Sequence, residues 1–431
     1  MKPHVVVKLR APAAGGARLP DWLTFVTDKS VVRGSLEPPV DRVMADAGLR
    51  FWATREFPAA GPTWNDAEVA HGLDRTFRLI LPDGREPGAE VVHRLRHLPG
   101  VEAAHSLEVA TVPLPDPRGG SPAAARRRPG EAIFLPYARA VTAGLPAIRI
   151  AVVDTGADLG HPELAGRFAG RADFVELRGL DTRTFVGDIT GYDDRPDDEV
   201  GHGTHVSGII GARGLAMDEG VAPGCGLMAV RVLATVREGD RRVGAGIVDN
   251  INAGIKWAVD NGAAVINMSL GIRHTEGGLP HRDVIAYALA RGVTVVAASG
   301  NDGTAALYYP GALPGVIAVG AVDGGGAVAP FTSYGAGITV VAPGVGIHSA
   351  YVPHAYAVAS GTSQAAPFVT GGVALLQSLA HERGRSLSPT EVAGILRDTS
   401  DRLTPRPRDK HSGYGLLNLA DAFRLLTHSL N

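Results

Sequence analysis

Three short segments carry residue types that could do chemistry together. The first is Asp154-Thr155-Gly156, an acid at the end of the apolar run IAVV. An acid at the carboxyl end of a buried parallel strand lies where open α/β sheets place their ligands, although strand-end Asp residues also simply cap loops. The second is Gly201-His202-Gly203-Thr204-His205-Val206. Glycines on both sides leave the His202 imidazole accessible, and Val206, Ile209 and Ile210 follow at helical spacing, so His202 falls at or near a helix N-terminus. An incidental cap is one alternative. A metal pair with His205 is another, but the HExxH spacing is absent. The third is Ser360-Gly361-Thr362-Ser363-Gln364-Ala365-Ala366-Pro367, followed by FVTGGVALLQSLA. Gly361 permits a sharp entry turn, and Ser363 then stands in the first turn of a buried helix. Unpaired N–H groups and the helix dipole favour a developing oxyanion there. Taken alone, a serine in that place is ordinarily an N-cap.

The elements that must position these residues are legible as apolar runs. Ile148 to Val153 is a short strand, and Cys225 to Leu233 contains another. Ala263 to Met268, Val293 to Ala298 and Val316 to Val322 add three more. Helical spacing lies between several of them, over Gly203 to Ala212, Ile247 to Asn261 and Asp283 to Arg291. Strands that are continuous apolar runs alternating with helices predict an α/β fold, a doubly wound and mostly parallel sheet covered on both faces.

The stretch from Val112 to Gly130 is rich in Pro, Gly, Ala and Arg and has no apolar period, so residues 113–130 read as an exposed linker. Before it, the order is strand (Val5 to Leu9), helix (Asp41 to Ala47), strand (Phe51 to Phe57), strand (Thr76 to Leu81), helix (Ala89 to Leu98) and extended chain (Val101 to Val112). That order predicts a small α+β, ferredoxin-like domain over residues 1–112, with the larger domain over residues 131–431.

Composition removes other classes. A net charge of −2 gives no reason to expect nucleic acid. Cys225 is the only cysteine, which excludes an intramolecular disulfide and a Cys-rich zinc site. No run reaches the roughly 18 apolar residues of a membrane span. The first apolar run, Val5 to Val7, is broken by Lys8 and Arg10, so the expected location is cytoplasmic.

Asp, His and Ser in this chain order, each at a Gly-rich junction, match the order found in subtilisin. The chain resembles the subtilases, the subtilisin-like serine proteases, from about Ile148 to Leu426. DTG with the following HPEL, GHGTHVSG and GTSQAAP look like family signature blocks, and VINMSLG, AASGNDG, PFTSYG, VVAPG and GYGLLNLADAF follow in the family's order. The resemblance implies a serine endopeptidase. Ser363 would be the nucleophile, His202 the general base, Asp154 the orienting acid, and Asn301 a side-chain donor to the oxyanion. Gly244-Ala245-Gly246 and Ser269-Leu270-Gly271 would be the two edge segments that pair with an extended substrate. His205 would be packing.

The chemistry so implied requires no cofactor. Structural calcium is doubtful, because Glu163 stands where the family has an Asp and the loop GARGLAMDEG lacks asparagine. The acidic run Asp193, Asp194, Asp197, Asp198 and Glu199 is an oxygen-rich alternative, or a solvated loop. Tyr308 is expected to narrow the floor of the specificity pocket, and Val248 stands where the family often has an aromatic. The segment from Thr76 to Val112 resembles subtilase propeptides, so the N-terminal domain is expected to dock on the protease with its tail in the cleft. The expected partners are therefore a peptide or protein substrate and the chain's own N-terminal domain, with no membrane. A catalytically silent, peptide-binding relative is the alternative, and the presence of all four reaction residues speaks against it.

Overall fold

The computed structural model describes residues 2–13, 19–30, 32–112, 128–177, 184–189, 193, 195–239, 241–273 and 279–430. Its centre is a seven-stranded sheet in which every pairing is parallel. From one edge the strands are Ile338–Pro343, Ile317–Val322, Thr294–Ala298, Ala263–Met268, Arg149–Asp154, Gly226–Arg231 and Phe168–Asp173. The helices His202–Gly211 and Thr362–Glu382 pack together on one face, while Val248–Asp260 and Arg282–Ala290 pair on the other. Two apolar clusters result, one on each side of the sheet. Side chains along single strands feed both clusters. Ile150 and Val152 enter the first and Ala151 and Val153 the second, which is why these strands read as unbroken apolar runs.

Five of the seven strands coincide with the predicted runs. The two that sequence reading passed over are Phe168–Asp173 and Ile338–Pro343, the two edges of the sheet. Phe168–Asp173 buries only its last two residues, so it lacks the run that marks the inner strands.

Residues 4–106 form a second sheet with order Trp52–Arg55, Thr76–Ile80, His4–Leu9, Val101–Ser106, all antiparallel. Helices Pro38–Asp46 and Ala89–Arg96 accompany this sheet, and a separate core gathers around Val43, Met44, Phe77 and Leu95. Short helices Trp22–Thr27 and Asp66–Ala70 are added to it. The extended chain read over Val101 to Val112 divides in two: Val101–Ser106 stays in this sheet, while Val109–Val112 leaves it to pair with the strand Arg241–Ile247. The Arg-rich linker falls almost wholly outside the described residues. Pro129 and Gly130, at its end, open a short helix, Pro129–Ala132. Among the described residues no helix is long and apolar enough to cross a membrane.

Candidate active site

Parallel strands deliver three loops to one edge of the sheet. The strands Thr294–Ala298, Ala263–Met268 and Arg149–Asp154 are neighbours. Asn301, Ser269 and Asp154 therefore stand in a row at their carboxyl ends, the place where an open α/β sheet forms its crevice. His202 and Ser363 come from the N-terminal turns of the two helices packed on one face.

Asp154 and His202 are joined directly. His202 Nδ1 donates to Asp154 Oδ1 at 2.7 Å, and the Thr155 N–H donates to the same oxygen at 2.8 Å. Burial disfavours the imidazolium, but the adjacent Asp154 carboxylate outweighs it through charge and hydrogen bond, with Asp198 adding to it. The His202 pKa is raised above the ordinary 6.5. With Nδ1 committed to Asp154, Nε2 is the nitrogen left to exchange a proton, and it is buried with no partner among the described residues. Glycine is required where the two motifs meet. A Cβ on Gly203 would overlap the Gly156 carbonyl oxygen, and Gly156 itself has φ of 107°.

Asp198 builds the corner beneath this pair. It is buried and accepts from Thr155 Oγ1 (2.9 Å), the Val200, Gly201 and Thr204 N–H groups (3.0, 2.7 and 2.8 Å) and Thr204 Oγ1 (2.7 Å). Its oxygens satisfy the start of the helix that carries His202 and are not available as cation ligands. Within the acidic run, Asp193 and Asp197 are exposed, and Asp194 lies outside the described residues. His205 is buried, with Nε2 3.2 Å from both the Ile347 and Ala357 carbonyls. Burial, then the charge of His202, pushes its pKa down to about 3, so it is neutral packing.

Ser363 is fixed by a reciprocal bond. Its Oγ donates to the Ser269 carbonyl at 2.9 Å, and Ser269 Oγ donates to the Ser363 carbonyl at 2.8 Å. That carbonyl is free because the residue four positions on is Pro367, which has no N–H to return. Ser269 Oγ is in turn held by Asn267 Nδ2 (2.9 Å), and Asn267 Oδ1 by Thr370 Oγ1 (2.8 Å). Asn301 is oriented from the same helix. Its Oδ1 accepts from the Thr362 N–H (2.8 Å) and Thr362 Oγ1 (2.9 Å), which turns Nδ2 outward as a donor. The Ser363 N–H is one of the first-turn groups that no residue of its own helix can satisfy.

The two expected substrate segments are also found together. Gly244, Ala245 and Gly246 lie on the strand Arg241–Ile247, and Ser269, Leu270 and Gly271 lead into the short strand Ile272–Arg273. Val109–Val112 pairs antiparallel with the first, in the register Val112 to Gly244, Thr111 to Ala245, Ala110 to Gly246 and Val109 to Ile247. The Val248 N–H extends the pairing to the Glu108 carbonyl at 3.1 Å. Ile272–Arg273 lies against the other side of the tail strand.

Buried polar contacts hold the N-terminal domain in this position. Asp249, 2% exposed, accepts from His4 Nε2 and His105 Nε2, both at 2.9 Å. Arg78 donates to Glu56 at 2.7 and 2.5 Å, reaches Asn250 at 3.2 Å and stacks on Trp22. Lys8 bridges to Asp283 (2.8 Å), and Lys256 to Glu68 (2.7 Å). Sequence reading missed all of these, since each joins residues far apart in the chain and none stands in a motif.

Glu163, the position singled out in the sequence for calcium, binds the following loop directly. Its carboxylate accepts from the Gly214 (2.8 Å), Leu215 (3.0 Å) and Ala216 (2.7 Å) N–H groups and from the Tyr356 hydroxyl. Three N–H groups converge where a cation would need oxygens, so these residues do not fit calcium. Among the described residues no group of three or more His, Cys, Asp or Glu could hold a metal.

A model of the subtilase family matches residues 146–415. A thermophilic serine proteinase of Bacillus sp. (strain AK1) is 39% identical over 277 residues, covering 63% of this chain and 61% of its own length. Subtilisin Savinase of Lederbergia lenta is 37% identical over 278 residues (64% of this chain, 91% of its own). Thermitase of Thermoactinomyces vulgaris is 37% identical over 261 residues (59% and 82%). The matched region thus spans less than two thirds of the first relative and most of the other two.

Proposed function

Since the chain belongs to the subtilase family, we propose that it is a serine endopeptidase working through Asp154, His202, Ser363 and Asn301. The observation that carries the reading is the 2.7 Å bond from His202 Nδ1 to Asp154. It fixes the tautomer that leaves Nε2 free to take a proton. The Ser363 hydroxyl rests on the Ser269 carbonyl. In the reaction it turns from that carbonyl to His202 Nε2, gives up its proton and attacks the scissile carbonyl carbon. The oxyanion forms between the Ser363 N–H and Asn301 Nδ2, the amide whose oxygen Thr362 already holds. Asp154 stabilises the imidazolium, which then protonates the leaving amine, and water repeats the sequence on the acyl-enzyme.

The N-terminal domain is, in this reading, an inhibitory propeptide. The tail strand Val109–Val112 takes the backbone pairing a substrate would take on Gly244–Gly246. A docked partner also lowers the barrier to assembling a parallel sheet whose contacts are all non-local. The test is to express wild type, Ser363→Ala and His202→Ala side by side. Wild type should hydrolyse a peptide substrate and show an intact-mass break between Glu108 and Gly130. Both variants should stay whole and lose roughly 10⁶-fold in turnover, a magnitude taken from subtilisin itself. More than a few per cent of activity in either variant would remove the triad. A fully active chain that never breaks would make the N-terminal domain a permanent module.

A further inference from the structure

The tail and the oxyanion donors together fix where a substrate side chain must go. On the endopeptidase reading the scissile carbonyl carbon would sit at Ser363 Oγ with its oxygen toward Asn301 Nδ2, and the peptide before it would take the place of Val109–Val112, between Gly244–Gly246 and the segment Ser269–Gly271 that leads into Ile272–Arg273. The side chain of the residue that supplies that carbonyl therefore enters the crevice between Ser269–Gly271 and Ser299–Asn301. Tyr308 stands in this crevice. A Cβ on Gly300 would overlap its ring, and a Cβ on Gly271 would lie 3.1 Å from its Cβ and 3.2 Å from Cδ1. The ring is thus in contact with both walls, and Tyr308 is only 7% exposed.

The ring is also locked. Its hydroxyl donates to Asp302, the residue directly after Asn301. Its backbone pairs with Arg273, just beyond the Ser269–Gly271 wall. The hollow beside the ring, lined by Ser299, Leu307, Gly311 and Ser333 among others, is open to solvent on one side and measures about 20 Å³, room for about one water and no ring.

We infer that Tyr308 closes the pocket for the residue preceding the scissile bond, so that this chain cleaves after small residues (Gly, Ala, Ser) and rejects aromatic and long side chains there. The inference rests on the endopeptidase reading and names its substrate class. Forcing a ring into a filled and rigid site displaces packed atoms, whereas removing the tyrosine leaves a slot between two glycines that accepts a ring.

The test uses two chromogenic peptides that differ only in the last residue, Ala or Phe, and compares kcat/KM on the full-length chain. Both peptides compete with the same tail, so the ratio does not depend on how much of the cleft is open. Wild type should favour Ala by about 100-fold, the upper range for pocket discrimination by size. Tyr308→Gly should shift the Phe-to-Ala ratio of kcat/KM toward Phe by at least about 10-fold. Tyr308→Phe, which keeps the ring and loses only the Asp302 bond, should retain the wild-type preference. A wild type that takes Phe as readily as Ala overturns the inference, whether or not the glycine variant folds, as does a ratio that Tyr308→Gly leaves unmoved. Labelling with a fluorophosphonate separates the two claims. A chain that labels but prefers Phe contradicts only the pocket assignment, while one that neither labels nor cleaves contradicts the endopeptidase reading and this one with it.

Discussion

Replacing Asp249 by Ala should loosen the tail from the cleft without touching the reaction groups. Asp249 lies in the first turn of the helix Val248–Asp260 and accepts from one imidazole on each of two strands of the N-terminal domain. His4 is fully buried, and its burial, reinforced by the charge of Arg78, pushes its pKa down to about 4 against the pull of Asp249. At pH 7 it is a neutral donor that would be left without its acceptor. His105 is 39% exposed, so water replaces much of what it loses. The loss should therefore lie near the upper end of the range for leaving a buried neutral donor unsatisfied, about 3 kcal/mol. At 1.4 kcal/mol per tenfold, that is roughly a hundredfold rise in the population with the tail released. The assay is hydrogen exchange in a Ser363→Ala background, where the chain stays whole. Amides of Val109–Val112 and of Gly244–Gly246 pair with each other and should lose about two orders of magnitude in protection together. The inner strand Ile150–Val153 should be unaffected. Unchanged exchange at both partners would refute the idea that this cluster holds the domain down, and equal loss in the inner strand would mean that Asp249 stabilises the parallel-sheet domain instead.

Asn301→Ala should lower kcat about 10²–10³-fold with little change in KM, a magnitude again taken from subtilisin, because its Nδ2 serves the oxyanion and not the ground-state carbonyl; a pure KM effect would make it a substrate contact. If His202 is the general base proposed, it must be neutral to act, and its pKa is raised, so the acidic limb of the kcat/KM profile should lie above pH 6.5; a limb below that value would mean another group controls the rate. Chelation with EDTA should leave the thermal midpoint where it is, and a fall would expose a cation site. Glu163→Ala should cost about 2 kcal/mol by freeing the Gly214–Ala216 N–H groups, seen as a lowered midpoint at pH 7. Burial raises the Glu163 carboxyl, but those N–H groups outweigh it and hold the pKa below 4.5. This stabilisation is therefore complete above pH 4.5 and lost as pH falls through the depressed value. A wild-type to Glu163→Ala difference that stays constant down to that range would contradict it.

The candidate site residues that the structure brings together were legible because each sits in a local pattern that its own backbone requires. Gly203 is glycine because the DTG backbone presses on it, and Pro367 frees the carbonyl that Ser269 grips. The inner strands were legible because burial on two faces demands unbroken apolar runs. The edge strand Phe168–Asp173 was not, since it is half solvated; the other edge, Ile338–Pro343, is buried at five of its six positions and was passed over despite its apolar run. What positions the reaction residues was hidden for a different reason. Asp198 resembled a cation site in sequence, but its oxygens are consumed by helix-start N–H groups and hydroxyls. Glu163 resembled a degraded calcium ligand and proves to be a carboxylate that binds the loop directly. Asp249 gives no local sign at all, because its partners His4 and His105 are 245 and 144 positions away.

The central claim is that Ser363 is a nucleophile activated by His202. The most direct measurement is labelling of the full-length chain with a fluorophosphonate, followed by peptide mapping. The expected result is one modified residue, Ser363, with labelling abolished in Ser363→Ala and reduced by orders of magnitude in His202→Ala. Labelling at another serine, or at Ser363 with an undiminished rate in His202→Ala, would contradict it.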